Sequence, residues 1–461
     1  MKSKLLLFQI ATNASVHPGR IGKCLLAVAA GLLLMPAPSS AASDRAAQAE
    51  HLAEIAAELT CRWAGLSVPE ECGLESMQRE EITDRVVEYF YVLRVGTEDY
   101  EEIALHRLIE EYAPYRPRHR SDAIMLVHGD IWPFDGAFNT AVGSGVVPDD
   151  QALPVFLASN DVDAWGIDLR WTRVPLGVPD PNAVMKNWDW QDDIDDLGLG
   201  LQFMRLIRTF TGSGNGQVAL LGWSRGGMLG YAYLGEESLR PYGRRHVNAF
   251  VPVDIFLKTD DESAREYACS LVVGARNLIE QGNYVIDYTI LQLAGDLAIA
   301  DPDAMSPLIP GLTNGQTIVL DAGIPRPGYT PWFHYIGADL AVLEMRYTEE
   351  ELAYVHYSRG APFQPMQIAL DGSILFCDEE DSPYDDHLGD IDVPILYLGA
   401  GGGFGEYGLF TTTLLASSDV ESLVISLNAE YADDFGHTDL FLASEAEDLV
   451  WHPLLDWIRR H

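Results

Sequence analysis

An apolar segment of this chain runs directly into a serine that is flanked by glycines. Residues 217–221 read Gln-Val-Ala-Leu-Leu and continue into Gly222-Trp-Ser-Arg-Gly226 and the helix-compatible stretch 228–234. A sharp turn from a strand into a helix strains its central residue, and glycines two positions away on either side avoid a Cβ clash. The pattern therefore predicts a strand–turn–helix unit that presents the hydroxyl group of Ser224 as a nucleophile.

The first 42 residues are typical of an export signal. Lysine and arginine residues precede the apolar run 24–35, and small residues follow it up to position 42. A run of about a dozen residues is shorter than the roughly 20 that a membrane-spanning helix needs. We therefore predict a cleaved signal and an exported protein, periplasmic or extracellular, without a transmembrane segment. An uncleaved membrane anchor is the alternative interpretation.

Four cysteines remain after removal of this signal, namely Cys61, Cys72, Cys269 and Cys377. An even number of cysteines in a chain bound for an oxidising compartment favours disulfide bonds. We expect Cys61 to pair with Cys72, and Cys269 with Cys377, because each pair falls within one predicted structural segment. Four buried free thiols are the alternative.

The chain is strongly acidic, with 69 acidic against 30 basic residues and a formal net charge of −39. A charge of this sign and size repels nucleic acid and anionic membrane surfaces, so neither is expected as a partner. An adaptation to high salt is a further hypothesis, because screening relieves self-repulsion.

Short apolar runs bounded by polar or glycine-containing loops predict a series of strands. They cover residues 103–109, 123–129, 164–168, 218–221, 249–253, 394–399 and 423–427. All but the first are interpreted as buried parallel strands, and helical patterns such as 192–209 and 440–460 separate several of them. The sequence therefore predicts an α/β fold, in which helices cover both faces of a mostly parallel sheet.

The domain organisation is predicted from where the alternation of strands and helices begins and where it is interrupted. We expect a signal at 1–42, a helical extension at 43–96, a core at 97–255 and 391–461, and a mainly helical lid or cap inserted at 256–390. Aromatic residues collect in the insertion, at Tyr329, Trp332, Phe333 and Tyr335, and line a pocket or merely pack the lid. The acidic loop 378–386 lacks the spacing of a calcium loop, and no metal or cofactor is predicted.

Three motifs occur in the order and setting of one known family. They are His128-Gly129 after an early strand, Gly222-Trp-Ser-Arg-Gly226, and Gly436-His437-Thr-Asp439 before the last helix. On these motifs, residues 100–461 resemble the α/β-hydrolase family in its serine esterase and lipase-like form, with no subfamily identified. The resemblance implies that Ser224 is the nucleophile and that His437 is its general base.

The resemblance also implies an oxyanion hole formed by two backbone N–H groups. These positions correspond to Arg225, which follows the nucleophile, and to Asp130 or Ile131 in the loop after the His-Gly strand. Trp132, Phe134 and Trp223 are expected to line the substrate pocket.

The acid that orients the histidine is less clearly marked. The family usually has it shortly after the penultimate strand, where this chain reads Gly399-Ala-Gly-Gly-Gly-Phe-Gly-Glu406 and contains no aspartate. Glu406 is one candidate, and Asp254 at the end of the strand after the nucleophile helix is the other. We favour Asp254 slightly. Asp439, only two residues after His437, is expected to cap the last helix instead.

These observations together predict an exported serine hydrolase that cleaves a small or lipid-like carboxylic ester through an acyl-enzyme intermediate. A peptidase or acyltransferase with the same three residues is the nearest alternative. A catalytically silent binding protein on the same fold is the alternative from another class, because function belongs to sites and not to folds.

Overall fold

The structure is a computed structural model that describes residues 42–326 and 333–461. The predicted signal, apart from its last residue, lies outside the described residues, as do Tyr329 and Trp332 of the insertion. Within the two described ranges, no helix combines the length and the apolar character needed to cross a membrane.

One mixed sheet forms the centre of the molecule. The strands are β1 (Gly73–Glu81), β2 (Val86–Arg94), β3 (Glu102–Ala113), β4 (Arg116–Pro117), β5 (Ala123–Val127), β6 (Asp163–Asp168), β7 (Val218–Trp223), β8 (Val247–Val253), β9 (Val285–Asp287), β10 (Ala338–Asp339), β11 (Glu344–Met345), β12 (Phe363–Pro365), β13 (Ile395–Ala400) and β14 (Val420–Ile425). The sheet order is β1-β2-β3-β6-β5-β7-β8-β13-β14, and β4 pairs with β3. From β6 to β14 all neighbours are parallel, while β1, β2 and β3 add an antiparallel edge.

Helices cover the sheet. They are α1 (Ala42–Ala64), α2 (Phe134–Ala137), α3 (Leu153–Ser159), α4 (Pro181–Met185), α5 (Trp190–Phe210), α6 (Arg225–Ser238), α7 (Glu262–Glu280), α8 (Thr289–Ala300), α9 (Asn314–Gly323), α10 (Glu350–Ser358), α11 (Met366–Cys377), α12 (Gly408–Thr412), α13 (Asp439–Leu442) and α14 (His452–Ile458), which a π-helical turn, Glu447–Trp451, precedes. The predicted α/β class is confirmed.

Alternate residues of the central strands bury apolar side chains on opposite faces of the sheet. Along β5, Met125 and Val127 join one core cluster with residues of α1, α5 and α6, whereas Ile124 and Leu126 join a second cluster with residues of α3 and α14. Burial on both faces explains why these strands are continuous apolar runs in the sequence. Because these strands run parallel, their carboxyl ends meet at one edge of the sheet, where the motifs lie.

The N-terminal extension differs from its prediction. The helical extension predicted for residues 43–96 is helical only up to Ala64, and residues 73–94 form the antiparallel pair β1–β2. The apolar positions that fit helical spacing belong to a run of β-branched and aromatic residues, Val86 to Leu93, which a strand with two covered faces accommodates equally well.

The insertion between β8 and β13 is mainly helical, as predicted, and contains α7 to α11. Residues 338–345 depart from the helical character predicted for the insertion: they form the short pair β10–β11, and α10 begins only at Glu350. The last sheet strand, β14, was predicted to be buried but lies at the sheet edge, where only Ile425 of its six residues is buried.

Both cysteine pairs lie at disulfide distance in the predicted combination. The Sγ atoms are 2.08 Å apart in Cys61–Cys72 and 1.96 Å apart in Cys269–Cys377. The first pair joins the end of α1 to the segment before β1, and the second joins α7 to α11 within the insertion.

A buried ion cluster joins β3, β6 and α5 beneath the sheet. The carboxylate of Asp163 accepts hydrogen bonds from Arg107 Nε at 2.8 Å and from Arg208 Nη1 at 2.9 Å. All three side chains are almost fully buried. Because each charge depends on the others for compensation, the cluster behaves as a unit.

Replacing Asp163 with asparagine is expected to lower the free energy of unfolding by about 3–5 kcal/mol, because two guanidinium groups stay buried without a countercharge. Denaturant unfolding followed by circular dichroism measures this loss. Glu380→Gln, which breaks the exposed pair with Arg276, is the control and should leave the unfolding midpoint nearly unchanged. Equal effects of the two substitutions would contradict the prediction.

Candidate active site

Ser224 occupies a strained turn between β7 and α6. Its backbone has φ +55° and ψ −128°, a conformation that non-glycine residues rarely adopt. A Cβ on Gly222 would lie 2.2 Å from the carbonyl oxygen of Gly226, and one on Gly226 would lie 2.3 Å from that of Val127. The flanking glycines are therefore sterically required, and the half-buried Ser224 side chain lies at the carboxyl edge of the sheet.

His437 follows β14 in a loop that leads into α13. Its Nδ1 lies 2.7 Å from Oδ2 of Asp254, and both side chains are almost fully buried. Its ring centroid is 5.0 Å from that of Trp223, the residue that immediately precedes Ser224. The histidine ring therefore lies beside the serine turn, with a carboxylate bound to the nitrogen on one side.

The loop after β13 holds the carboxylate of Asp254. Backbone N–H groups of Ala400, Phe404 and Gly405 donate to it at 2.8, 3.1 and 3.0 Å. A Cβ on Gly403 would lie 1.9 Å from Oδ2 of Asp254. The glycines at 401–403 therefore allow the loop to close around the carboxylate of Asp254, which directly follows β8.

The two candidate acids are distinguished by position. Asp254 has the left-handed φ of +47°, is buried, and contacts His437 directly. Glu406 lies in the same glycine-containing loop, but its side chain is exposed. The structure brings Asp254 to the histidine and leaves Glu406 at the surface.

The loop after β5 lies directly against the serine. A Cβ on Gly129 would be only 2.7 Å from the Cβ of Ser224. Ile131 has φ +71°, and the N–H of Trp132 donates to the carbonyl of Asp130 at 2.8 Å. Arg225 is the first residue of α6, and its backbone lies at the helix N-terminus, where the helix dipole favours negative charge.

The aromatic residues predicted to line the pocket occupy two environments. Trp132 and Trp223 lie near each other with ring centroids 6.2 Å apart, and Tyr335 of the insertion contacts Trp132 at 5.3 Å. Phe134, in contrast, is buried against the sheet, where its ring stacks on His106 at 4.3 Å. Phe134 therefore lies in a core packing position, and Trp132 and Trp223, which lie beside the serine turn, are just as fully buried.

The insertion supports the loop that carries His437. The N–H groups of His437 and Thr438 donate to the carbonyls of His334 and Tyr335, at 3.0 and 2.8 Å. The buried carboxylate of Asp439 accepts hydrogen bonds from Gly436 N at 2.6 Å, from Gly337 N at 2.8 Å and from Thr348 Oγ1 at 2.7 Å. The expected cap on the last helix is wrong: Asp439 is the first residue of the short α13, and within the described residues its carboxylate bonds no N–H of that helix. Two of its three partners belong to the insertion, which no local pattern in the sequence indicates.

Burial raises the pKa of Asp439 from its ordinary value of 3.8 to about 6. Since the folded pKa lies above the unfolded one, the folded state binds this proton more tightly, and the contribution of Asp439 to stability declines as the pH rises from about 4 to 6. The neutral variant Asp439→Asn lacks this titration but keeps an acceptor for Gly337 and Gly436.

The free energy of unfolding of the wild type, minus that of Asp439→Asn, is therefore expected to fall by roughly 1–3 kcal/mol between pH 4 and pH 7. Urea unfolding of both proteins at several pH values measures this difference. Other buried carboxyl groups titrate in both proteins and cancel. A difference that stays constant over the range would contradict the prediction.

Residues outside this site form three groups whose spacing would allow metal ligation within the described chain. One is Glu88, His106 and Asp135, a second is Asp419, Glu421 and His461, and the third includes the disulfide cysteines Cys269 and Cys377. In the first group, both ring nitrogens of His106 already contact carboxylates, of Glu88 at 2.6 Å and of Asp168 at 3.2 Å.

The acidic loop 378–386 makes ion pairs with the insertion's own lysine: Asp378 and Asp385 both pair with Lys258.

Comparison with known proteins relates this chain to others by structure alone. No protein-family model and no curated protein sequence matches it. A candidate lipase from Sulfolobus solfataricus is 19% identical, with a TM-score of 0.58 over 84% of this chain and 99% of that one. Two other solved structures are less similar. A soluble variant of monoglyceride lipase from Saccharomyces cerevisiae is 11% identical, with a TM-score of 0.44 over 84% of this chain and 96% of that one. An esterase from Thermogutta terrifontis is 14% identical, with a TM-score of 0.40 over 83% of this chain and 98% of that one. The first similarity shows that the chain has the α/β-hydrolase fold.

Proposed function

We propose that this chain, which has the α/β-hydrolase fold, is an exported serine hydrolase that cleaves carboxylic esters through an acyl-enzyme intermediate. Ser224 is the nucleophile, His437 the general base and acid, and Asp254 the carboxylate that orients the imidazole. The backbone N–H groups of Arg225 and of Asp130 or Ile131 form the oxyanion hole.

The observation that carries the proposal is the buried 2.7 Å contact between His437 Nδ1 and Asp254 Oδ2 beside the strained turn of Ser224. A serine hydroxyl is a weak nucleophile near neutral pH and needs an adjacent base. A carboxylate bound to Nδ1 favours the tautomer that carries its proton there and leaves Nε2 free to accept the serine proton. The three residues also follow the chain order Ser, Asp, His of this fold.

The reaction proceeds in two symmetrical halves. His437 takes the proton of Ser224 Oγ as the oxygen attacks the ester carbonyl, and the backbone amides stabilise the resulting oxyanion. The tetrahedral intermediate collapses, and the alcohol leaves with the proton from His437. Water then attacks the acyl-enzyme, again with His437 as base, and the carboxylic acid is released with Ser224 restored.

Export is supported by the N-terminal sequence and by the two disulfide pairs. Disulfides form and persist in oxidising compartments and are rare in the reducing cytosol. Cys61–Cys72 and Cys269–Cys377 both lie at bonding distance. The substrate is a small or lipid-like ester, and the buried apolar side chains of Trp132 and Trp223 pack beside the serine turn.

A fluorophosphonate probe tests the proposal on the mature wild-type protein. We expect stoichiometric labelling, with the adduct mapped to Ser224 by peptide mass spectrometry, and hydrolysis of p-nitrophenyl esters in a parallel assay. Esters of increasing chain length measure the size of the acyl site, and a matched p-nitroanilide separates an esterase from a peptidase. A folded protein that neither labels nor turns over any ester, at low and at high salt, would contradict the proposal.

A further inference from the structure

The loop that would supply half of the oxyanion hole is held in an unfavourable backbone conformation. Ile131 has φ +71°, in the left-handed region that is unfavourable for a β-branched residue. Such conformations persist only where the surroundings fix them, and they cluster at functional sites. The contacts that fix this loop are therefore informative about function.

One of those contacts joins the two halves of the proposed oxyanion hole through side chains. The guanidinium group of Arg225 binds the carboxylate of Asp130 with two nitrogens: Nη2 donates to Oδ2 at 3.0 Å, and Nε donates to Oδ1. The side chains are 15% and 33% exposed, so the pair borders the solvent without being fully solvated. A two-point pair of this kind fixes distance and orientation, which a single point charge does not.

The insertion holds both members of the pair from outside. Arg225 Nη1 donates to the carbonyl of Ile368 at 2.9 Å, and Gln364 Nε2 donates to Oδ1 of Asp130. Ala361 N–H donates to the carbonyl of Ile131 at 2.6 Å. A Cβ on Gly372 would lie 2.6 Å from Nη1 of Arg225, so the helix α11 also closes tightly over the guanidinium group.

We propose that Asp130 and Arg225 are positioning residues whose ion pair sets the spacing between the two backbone N–H groups of the oxyanion hole. The proposal rests on the proposed function, since it assigns a purpose to those amides. The side chains do not touch the substrate: they hold the strained loop after β5 against the first turn of α6. In this arrangement the segment 361–372 of the insertion is a fixed wall of the site.

The consequence is a selective loss in the chemical step. Oxyanion donors bind the developing charge far more strongly than the ground-state carbonyl, so their displacement lowers kcat with little change in KM. Removal of one such donor lowers kcat by about 10²–10³. Displacement of donors that remain present is expected to cost less, about 10–100-fold for Arg225→Met and about 10-fold for Asp130→Asn.

The test measures kcat and KM for a p-nitrophenyl ester, and the affinity for a boronic acid that mimics the tetrahedral intermediate, in the full mature protein. We expect lower kcat and weaker boronic acid binding in Arg225→Met and Asp130→Asn, and KM within about threefold of the wild type. Arg225→Lys keeps the charge but not the two-point contact and should recover only part of the activity. The double variant should be no worse than Arg225→Met, because one pair is broken once.

Arg276→Met is the matched control, because it removes an exposed arginine–carboxylate pair, with Glu380, away from the serine. It should behave as the wild type. Melting temperatures of all variants identify any that fail to fold. If Arg225→Met does not fold, Asp130→Asn, which conserves the shape of the side chain, tests the positioning role by itself. If the wild type itself is neither labelled nor active, the proposed function is wrong. If the wild type is active while Asp130→Asn and Arg225→Met keep its kcat, or lose activity additively in the double variant, the positioning role alone is wrong.

Discussion

The Ser224→Ala variant is expected to lose ester hydrolysis and fluorophosphonate labelling, with kcat lower by about 10⁶-fold. The loss is this large because the acyl group has no oxygen to which it can bond, and the imidazole of His437 has no proton to take from the serine position. Any residual hydrolysis reflects transition-state stabilisation by the backbone amides acting on a water molecule.

The substitution isolates chemistry from folding. Ala and Ser share a Cβ, so the strain at φ +55° is the same in both proteins. The turn is held by backbone hydrogen bonds, from the Ser224 N–H to Val253 O and from the Gly227 and Met228 N–H groups to Ser224 O, and among the described residues none of these bonds uses the hydroxyl group. Ser238→Ala, at the other end of the same helix, is the control and should keep full activity. Hydrolysis above about one percent of the wild-type rate in Ser224→Ala would mean that another group is the nucleophile.

The parts of the fold that were predictable are those that depend on short-range rules. The strands β5 to β8 are recognisable because burial on both faces demands uninterrupted apolar residues. The turn at Ser224 is recognisable because its strain demands glycines at 222 and 226, where Gly226 O and Val127 O leave no space for a Cβ. In both cases a local structural requirement restricts which residue types can occupy neighbouring positions in the sequence.

The N-terminal segment was mispredicted for a physical reason. Positions 82, 86, 87, 90 and 93 fit a helical stripe, and a strand covered on both faces also fills consecutive positions with apolar residues. What decides between them is pairing with β1 and β3, to which β2 bonds on both sides. Pairing is a tertiary contact, which an isolated periodicity does not encode.

The supports of the site depend on contacts between distant residues. The Asp130–Arg225 pair is separated by 95 positions, and Gly337 and Thr348 reach Asp439 from 102 and 91 positions away. None of these residues belongs to a motif with Ser224 or His437, apart from Arg225 and Asp439 themselves. The candidate catalytic residues can thus be predicted in part from sequence motifs. The residues that position them cannot, because their contacts form only when the insertion folds against the core.

The Asp254→Asn variant is expected to lower kcat by about 10⁴-fold while the protein stays folded. Each carboxylate oxygen of Asp254 accepts two hydrogen bonds: Oδ1 from Ala400 and Gly405, and Oδ2 from Phe404 and His437. An asparagine must point its NH₂ group at one of these donor pairs. Facing His437, the amide would donate to Nδ1, move the imidazole proton to Nε2 and remove the base.

Facing the backbone donors instead, the NH₂ group of the introduced asparagine would leave two buried N–H groups without an acceptor, at a cost of about 1–3 kcal/mol each in stability. Both arrangements lower the stability of the variant, but only the change of imidazole tautomer lowers kcat. The assay is therefore kcat for a p-nitrophenyl ester at pH 8, corrected for the folded fraction measured by circular dichroism. Glu406→Gln is the matched control, because Glu406 is exposed and should keep kcat within about twofold. The reverse pattern, a large loss in Glu406→Gln and near-normal kcat in Asp254→Asn, would make Glu406 the acid and require the loop 401–406 to rearrange during catalysis.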